Sequence, residues 1–475
     1  MLYWLMRILF ASSEVYPFSK TGGLADVIPA LAEALVALGH EVLVVSPWYK
    51  QLKARPAPLW IGDISVPFDG GWTQVGVGEL SQRGVRYAFV GHSFYQRDSF
   101  YGYADDTYRF ALFNRAIPQV AARVHFMPDV FHLHDWQSAY VPAILQRGWD
   151  LPEGMPYRPS VFTVHNVQYQ GSSALMETIN WLRLPTDMAS SYMNYFNTAN
   201  AMQAAIGFAN RVTTVSPSYA EEIKQAEYGY GLDGSFRHIS HKLQGILNGI
   251  DTHVWDPATD SLLAHTYGLD EVDDLEKIRQ AKALAKEALC QRFHITQDRP
   301  LMAIVSRLAE QKGIDIFLAA APELLNQGWN LLVLGSGDRG MEGALEGLRY
   351  HHQDRVGVMI GYDESLAHLI YAGADSLAIP SRFEPCGLTQ MLAMRYGTIP
   401  IARATGGLKD TITHGETGFL FEDAHANGLL WASWGAYQTY QNDHWGQMIL
   451  KGMGQDFSWT VSAKRYEGLY RELVG

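Results

Sequence analysis

Short apolar runs of strand length alternate with helical patterns along most of the chain. Residues 7–12 form the first such run. After a loop over residues 13–23, Leu24, Val27, Ile28, Leu31, Leu35 and Leu38 recur at the spacing of one helix face, and Gly39 stands where a helix C-cap belongs. Residues 41–46 are the next strand, so the chain opens with a β-α-β unit whose first loop is long and contains glycine. Residues 130–134, 160–165 and 211–216 carry the same strand pattern. A second series starts near residue 300, with strands predicted at 301–305, 330–334, 356–360, 376–379 and 398–401, and with helices at 314–325 and 388–396. Buried strands alternating with helices predict parallel sheets covered on both faces. Two series in one chain predict two Rossmann-like domains.

The Asn248-Gly249 dipeptide is a strong turn signal, which places the junction near residues 246–251. The expected division is 1–247, 248–456, and a terminal amphipathic helix over 457–475 that carries Trp459, Tyr466, Leu469 and Tyr470. The charged segment 269–293 is expected to be a solvated helix or helix pair. No period of 20–50 residues suggests a repeat array.

A length of 475 residues exceeds the roughly 100–200 of one typical domain, in keeping with two. The balance of 37 basic against 49 acidic residues, a formal net charge of −12, argues against nucleic acid as the main partner while leaving room for a local basic pocket that holds one diphosphate. Trp and Tyr are plentiful, and sugar faces stack on such rings, although ordinary core packing accounts for most of them. Cys290 and Cys386 are too few and too far apart for a disulfide framework or a cysteine metal site, and a reducing compartment is the simpler setting. The apolar N-terminal run 1–10 lacks a basic region before it and is interrupted by Arg7. Residues 6–11 are therefore expected to be a buried strand rather than part of a signal peptide. No run of 18 apolar residues predicts a membrane span.

Open α/β sheets bind ligands at the carboxyl ends of their strands, so the chemistry is sought in strand-end loops. After the first strand, Ser19-Lys20-Thr21-Gly22-Gly23 leads into a helix. Gly22 and Gly23 let the backbone approach an anion, and Lys20 adds a charge. Arg307 and Lys312 place two cations in the loop after the strand 301–305. Loss of a nucleoside diphosphate develops negative charge that a metal or cations must neutralise. No Asp-x-Asp triplet is present to hold a metal, which points to Arg307 and Lys312. Glu384 lies in Arg382-Phe-Glu-Pro-Cys-Gly-Leu-Thr-Gln390, just ahead of a helix, where a carboxylate either binds sugar hydroxyls or merely caps the helix. His165-Asn166 and His134-Asp135 each end a strand, with structural and catalytic readings both open.

Gly335-Ser-Gly337-Asp-Arg-Gly340 matches G-x-G-x-x-G, the dinucleotide-binding pattern. It follows the second strand of its series, and Asp354 precedes rather than ends the next strand. These glycines are therefore expected to allow close passage of a nucleotide or another loop rather than to mark a dehydrogenase.

Taken together, Lys20-Thr-Gly-Gly-Leu24, Asp135-Trp136, His165-Asn166, Asn248-Gly-Ile-Asp251, Ser306-Arg-Leu308, Lys312-Gly313 and the 382–390 segment resemble the bacterial glycogen synthases and plant starch synthases over essentially the whole chain. Leu392 stands where broader relatives carry a second glutamate, and these synthases share that departure. The resemblance implies a GT-B fold, two Rossmann-like domains facing across a deep cleft, with the last helix crossing back to the first domain. It implies glucose transfer from ADP-glucose to an α-1,4-glucan such as glycogen or a maltooligosaccharide. Transfer would retain the α configuration and need neither metal nor cofactor, in a cytoplasmic enzyme without nucleic-acid or membrane partners. It implies that Arg307 and Lys312 bind the terminal phosphate, that Lys20 with Gly22 and Gly23 approaches the same diphosphate, and that Glu384 binds the glucose. His165 is implied to contact the reacting face, Tyr362 to stack on the adenine, and Asp26 and Asn248 to lie near donor or acceptor. Cys386, Gly387, Leu388 and Thr389 are implied in substrate binding. The alternatives are a UDP-glucose-dependent or other-acceptor transferase, a pyridoxal phosphate-dependent phosphorylase, and a non-catalytic glucan-binding protein. The joint presence of Arg307, Lys312 and Glu384 disfavours the last.

Overall fold

The computed structural model describes residues 5–52, 56–269 and 274–475. The start of the apolar N-terminal run, residues 1–4, and residues 270–273 of the charged segment lie outside them. The chain divides into two compact units, Met1–Gly249 with Trp459–Gly475, and Ile250–Ser458. The first division falls two residues past the expected one, because the Ile250 amide bonds the Phe457 carbonyl (2.9 Å) and Ile250 bridges Ser458.

In the first unit the strands are β1 (Arg7–Ala11), β2 (Glu41–Pro47), β3 (Leu59–Phe68), β4 (Gly71–Gln82), β5 (Val85–Gly91), β6 (Val130–His134) and β7 (Ser160–Val164). A small antiparallel sheet of β8 (Ser172–Ala174), β9 (Asn194–Tyr195) and β10 (Thr198–Asn200) follows. β11 (Arg211–Thr214) and β12 (Leu243–Gly245) then rejoin the main sheet. Its order is β12-β11-β7-β6-β1-β2-β5-β4-β3, parallel from β12 to β5. β3 and β4 add an antiparallel edge beyond the strands that the hydrophobic pattern predicts. Its signal is nonetheless present. Asp69-Gly70 and Arg83-Gly84 are two-residue turns with positive φ at both positions (49° and 71°, 49° and 79°), the geometry that suits a twisted hairpin.

Ile8 and Phe10 of β1 and Val42 and Val44 of β2 pack beneath the helix Leu24–Ala37, which contributes Val27, Ile28, Leu31 and Leu35. The last helix, Trp459–Val474, buries Trp459, Ala463, Tyr466, Leu469 and Tyr470 in the same core, so the chain's end belongs to its beginning. Burial of apolar area at about 25 cal/mol per Å² makes this stripe, rather than helix propensity, what holds the segment in place.

The second unit carries β13 (Leu301–Val305), β14 (Asn330–Gly335), β15 (Val356–Ile360), β16 (Ser376–Ile379), β17 (Ile399–Arg403) and β18 (Phe419–Phe421). All pairs are parallel and the order is β15-β14-β13-β16-β17-β18, the 3-2-1-4-5-6 arrangement of a doubly wound sheet. The direction of winding reverses between β13 and β16. In the first unit it reverses between β1 and β6.

The described part of the charged segment is one helix, Asp274–Phe293, and one face of it is not solvated. It packs on the helix Glu364–Gly373 and buries Ile278, Lys282, Lys286 and Leu289. The Lys282 ammonium donates to the carbonyls of Ala372 (2.8 Å), Ala374 (3.0 Å) and Tyr396 (3.2 Å) and to Thr398 Oγ1 (2.8 Å). Lys286 pairs with Asp375 at 2.8 Å. A charge pattern does not distinguish a solvated lysine from one whose long stem crosses an apolar layer to reach chain-end carbonyls.

Candidate active site

The sequence-predicted residues fall into two groups, one in each unit, and in the second unit Arg307, Lys312 and Glu384 follow β13 and β16, the two strands that flank the winding reversal. In the second unit, Glu310–Lys312 forms a short turn after β13. Gly313, with φ of 68°, then starts the helix Ile314–Gln327. A Cβ on Gly313 would stand 2.0 Å from the Pro380 carbonyl oxygen, so only glycine lets this loop lie against the segment that follows β16. The Arg382 amide bonds the Gln311 carbonyl at 2.8 Å and locks the approach. The result is a pair: Lys312 Nζ lies 2.6 Å from Glu384 Oε2, which also accepts from Ser381 Oγ at 3.0 Å. Glu384 is only 7% exposed. Its side chain bonds Lys312 and Ser381, and the following helix has no side-chain cap, so Glu384 does not act as a helix cap. Arg307 is exposed beside the pair's loop and donates to Gln311 Oε1 at 3.3 Å. Arg382 is spent elsewhere, in a two-pronged pair with Asp315 (2.9 and 2.7 Å).

Two glycine pairs back these loops. Cβ atoms on Gly406 and Gly407 would stand 2.0 Å from the carbonyl oxygens of Glu384 and Cys386, and the Gly407 amide bonds the Glu384 carbonyl at 3.1 Å. Cys386 is buried. Gly387 turns the chain at φ of 71°, Leu388 is the helix N-cap, and the helix runs Thr389–Arg395, one residue later than its pattern suggests. Gly335 and Gly337 receive the other loop: added Cβ atoms would meet the Ser306 oxygen at 2.0 Å and the Leu308 oxygen at 2.2 Å, and Leu308 and Gly337 bridge in parallel. The G-x-G-x-x-G match therefore marks close passage of the Arg307 loop. Gly337→Ala should force that loop outward, lowering stability by about 1–3 kcal/mol as overpacking does and reducing turnover with it. A variant with unchanged melting temperature and activity would refute this account. Tyr362, after β15, turns a ring that is 82% exposed.

In the first unit, Lys20 pairs with Asp26 at 2.7 Å on the surface. Glu14 fills part of the expected anion cradle: its carboxylate accepts from the Thr21 amide, from Thr21 Oγ1 (2.6 Å) and from the Gly22 amide (3.3 Å). Sequence reasoning missed Glu14 because no spacing rule links residue 14 to residues 21 and 22. A Cβ on Gly22 or Gly23 would meet nothing within 4 Å, so no neighbouring protein atom demands glycine there. Asn248 is buried and its amide reaches the Val215 carbonyl at 3.4 Å.

His165 sits after β7, its Nε2 3.0 Å from Nδ1 of His134 at the end of β6. Its amide donates to Asp135 Oδ1 at 2.8 Å, and the Asn166 amide to the same oxygen at 3.4 Å. Asp135 holds φ of 56° and ψ of 178°, a conformation that costs a non-glycine residue about 1–3 kcal/mol and persists where surroundings enforce it. His132 bonds Tyr470 Oη and Thr163 Oγ1, each at 2.6 Å, and its ring lies 4.1 Å from that of His134. Burial holds His165 down at about 3 and pushes His132 and His134 well below the usual imidazole range, so all three rings are neutral near pH 7.

Burial pushes the Asp135 carboxyl up to about 7, against the two backbone amides, while Glu14 adds to the rise. An unfolded Asp releases its proton near 3.8. The carboxyl's contribution to stability is thus present below that value and is lost as the pH rises through 7. Asp135→Asn does not titrate. Its melting temperature relative to the parent should climb between about pH 4 and pH 7 and level off above, whereas a flat difference would mean that Asp135 ionises normally.

Among the described residues no three His, Cys, Asp or Glu side chains converge as metal ligands do. No helix there is long and apolar enough to cross a membrane.

Two family models match the chain, that of the starch synthase catalytic domain over residues 7–238 and that of the group 1 glycosyl transferases over residues 286–432. With two doubly wound units, these matches define a glycosyltransferase of the GT-B fold. A glycogen synthase of Deinococcus radiodurans is 44% identical over 476 residues, covering 98% of this chain and all of that protein. One of Myxococcus xanthus is 41% identical over 485 residues, covering 99% and 100%. The solved catalytic domain of starch synthase IV from Arabidopsis thaliana, bound to ADP and acarbose, superposes with a TM-score of 0.89 at 35% identity, over 99% of this chain and all of that one. The chain belongs to the glycogen and starch synthase family.

Proposed function

We propose that the enzyme transfers glucose from ADP-glucose to the non-reducing end of an α-1,4-glucan, with retention of the α configuration and without metal or cofactor, in the cytoplasm. The observation that carries this reading is the Lys312–Glu384 pair, 2.6 Å across, at the winding reversal of the second unit with Arg307 beside it. A cation and a carboxylate held side by side suit a reaction that separates charge: the diphosphate leaves with growing negative charge while the anomeric carbon becomes positive. Arg307 and Lys312 stabilise the first charge, and Glu384 holds the glucose hydroxyls and steadies the second. Tyr362 offers its open ring to the adenine. His165, a neutral imidazole, meets the glucose as a hydrogen-bonding group rather than as an ion. Lys20, Gly22 and Gly23 act on the diphosphate, and Asp26 and Asn248 on donor or acceptor. The ADP in the Arabidopsis relative favours an adenine donor.

The test is nucleoside diphosphate release from ADP-glucose or UDP-glucose with glycogen and EDTA present. Glycogen-dependent ADP release that EDTA does not diminish supports the adenine donor, the glucan acceptor and the metal-free phosphate site together. UDP release overturns the base, and loss of activity in EDTA overturns the metal-free phosphate site.

A further inference from the structure

The contact between His165 and His134 holds information beyond distance. Each ring is a neutral imidazole with one proton to place, and the 3.0 Å bond between His165 Nε2 and His134 Nδ1 uses one of those protons. Two arrangements exist. If His165 donates from Nε2, then His134 carries its own proton on Nε2, which is buried and without a hydrogen-bond partner. If His134 donates from Nδ1, its buried Nε2 is a bare lone pair, and the proton of His165 sits on Nδ1. Buried N–H groups without partners are the rarer defect, because a donor has one direction in which to be satisfied and nothing apolar satisfies it. The surroundings of His134 are apolar and aromatic: Phe10 stands edge to face at 5.2 Å, the His132 ring lies at 4.1 Å, and both Phe10 and His134 are fully buried. Phe10 and the His132 ring therefore offer no oxygen to an Nε2 proton, and both nitrogens of His132 are already engaged by Tyr470 and Thr163.

His134 itself is held at both ends of its backbone. Its amide donates to Ser138 Oγ at 2.9 Å, and Ser138 Oγ donates to its carbonyl at 3.0 Å. The His165 backbone is fixed in turn by Asp135 Oδ1. These backbone bonds hold the two rings in place, and the unpartnered buried Nε2 of His134 is what decides which ring donates.

We propose that His134 is a positioning residue for His165, donating from Nδ1 to His165 Nε2 and so fixing His165 as the tautomer that presents Nδ1–H to the substrate. The inference rests on the reading that His165 contacts the glucose. It adds that His165 acts there as a donor to a hydroxyl oxygen, and that His134 touches no substrate.

The test uses the full-length enzyme with ¹⁵N-labelled histidine. Two-bond ¹H–¹⁵N spectra distinguish protonated from bare ring nitrogens, and His165→Gln and His134→Asn assign the signals. The expected result is a bare Nε2 and a protonated Nδ1 on His165. His165 protonated at Nε2 in the parent enzyme would overturn the proposal. His134→Phe keeps a planar ring and removes the donor. It should lower kcat roughly 10- to 100-fold, as misplacement of a reacting group does, with KM for glycogen little changed and the His165 spectrum no longer of one tautomer. His134→Asn, whose amide nitrogen can take the place of Nδ1, should restore most of kcat. Parental kcat in His134→Phe, or no rescue by asparagine in a folded variant, counts against the proposal. If His134→Phe does not fold, the parental spectrum decides. His165→Ala with parental turnover would instead defeat the reading of His165 as a glucose contact, while the tautomer measurement would stand.

Discussion

Lys312→Ala should lower turnover by about 10²–10³ while glucan binding stays near that of the parent enzyme. The loss is that of removing one preorganised charge from a site where negative charge develops, a transition-state effect of several kcal/mol. It belongs to kcat because the diphosphate carries its full extra charge only as the bond to glucose breaks. The 2.6 Å pair adds a second consequence. Truncating Lys312 leaves the carboxylate of Glu384 buried with, among the described residues, only the Ser381 hydroxyl bonded to its side chain, so some loss of stability accompanies the loss of rate. Rates of ADP release at saturating glycogen, glycogen co-sedimentation and a melting curve separate the three effects. Turnover near that of the parent would remove Lys312 from the mechanism.

Glu384→Gln is expected to be comparably damaging, again by about 10²–10³ in kcat. Glutamine keeps the size and one acceptor oxygen, so it can still accept from Ser381. What it lacks is the negative charge that steadies the anomeric carbon and orients the Lys312 ammonium. Because the two side chains touch, their losses should not add: the double variant Lys312→Ala, Glu384→Gln should lose less than the product of the single losses. Strict multiplicativity in kcat would show that the pair does not act as a unit, and a parental rate in Glu384→Gln would assign the carboxylate to structure alone.

The residues around this pair were legible to different degrees. Arg307, Lys312 and Glu384 announce themselves as charged groups in glycine-punctuated loops after apolar strands, and the absence of an Asp-x-Asp triplet draws attention to the cations. That Lys312 meets Glu384 is not legible, because 72 positions separate them and the sheet order that makes β13 and β16 neighbours appears only on folding. The same holds for Glu14, which enters the Thr21-Gly22 amides from across a loop. Lys282 and Lys286 show the converse failure, since their charge suggests solvent while the helix Asp274–Phe293 turns them inward. The hairpin of β3 and β4 is a different case: Asp69-Gly70-Gly71 carries the turn chemistry in plain view.

What the chain determines by itself are the properties that act between near neighbours. Strand and helix periods, the helix-ending Gly39, the α/β class, the two series of elements and the family signature motifs are all read along the chain without knowing which elements meet. What only the tertiary structure decided are the pairings across long separations: the winding reversals at β1/β6 and β13/β16, the Lys312–Glu384 pair, and the run of contacts from Tyr470 through His132 and His134 to His165. The physical reason is that a period reports which face of an element is apolar, whereas which elements share a core depends on the packing of all of them at once. The chemistry of a buried pair or a fixed tautomer exists only after that packing has excluded water.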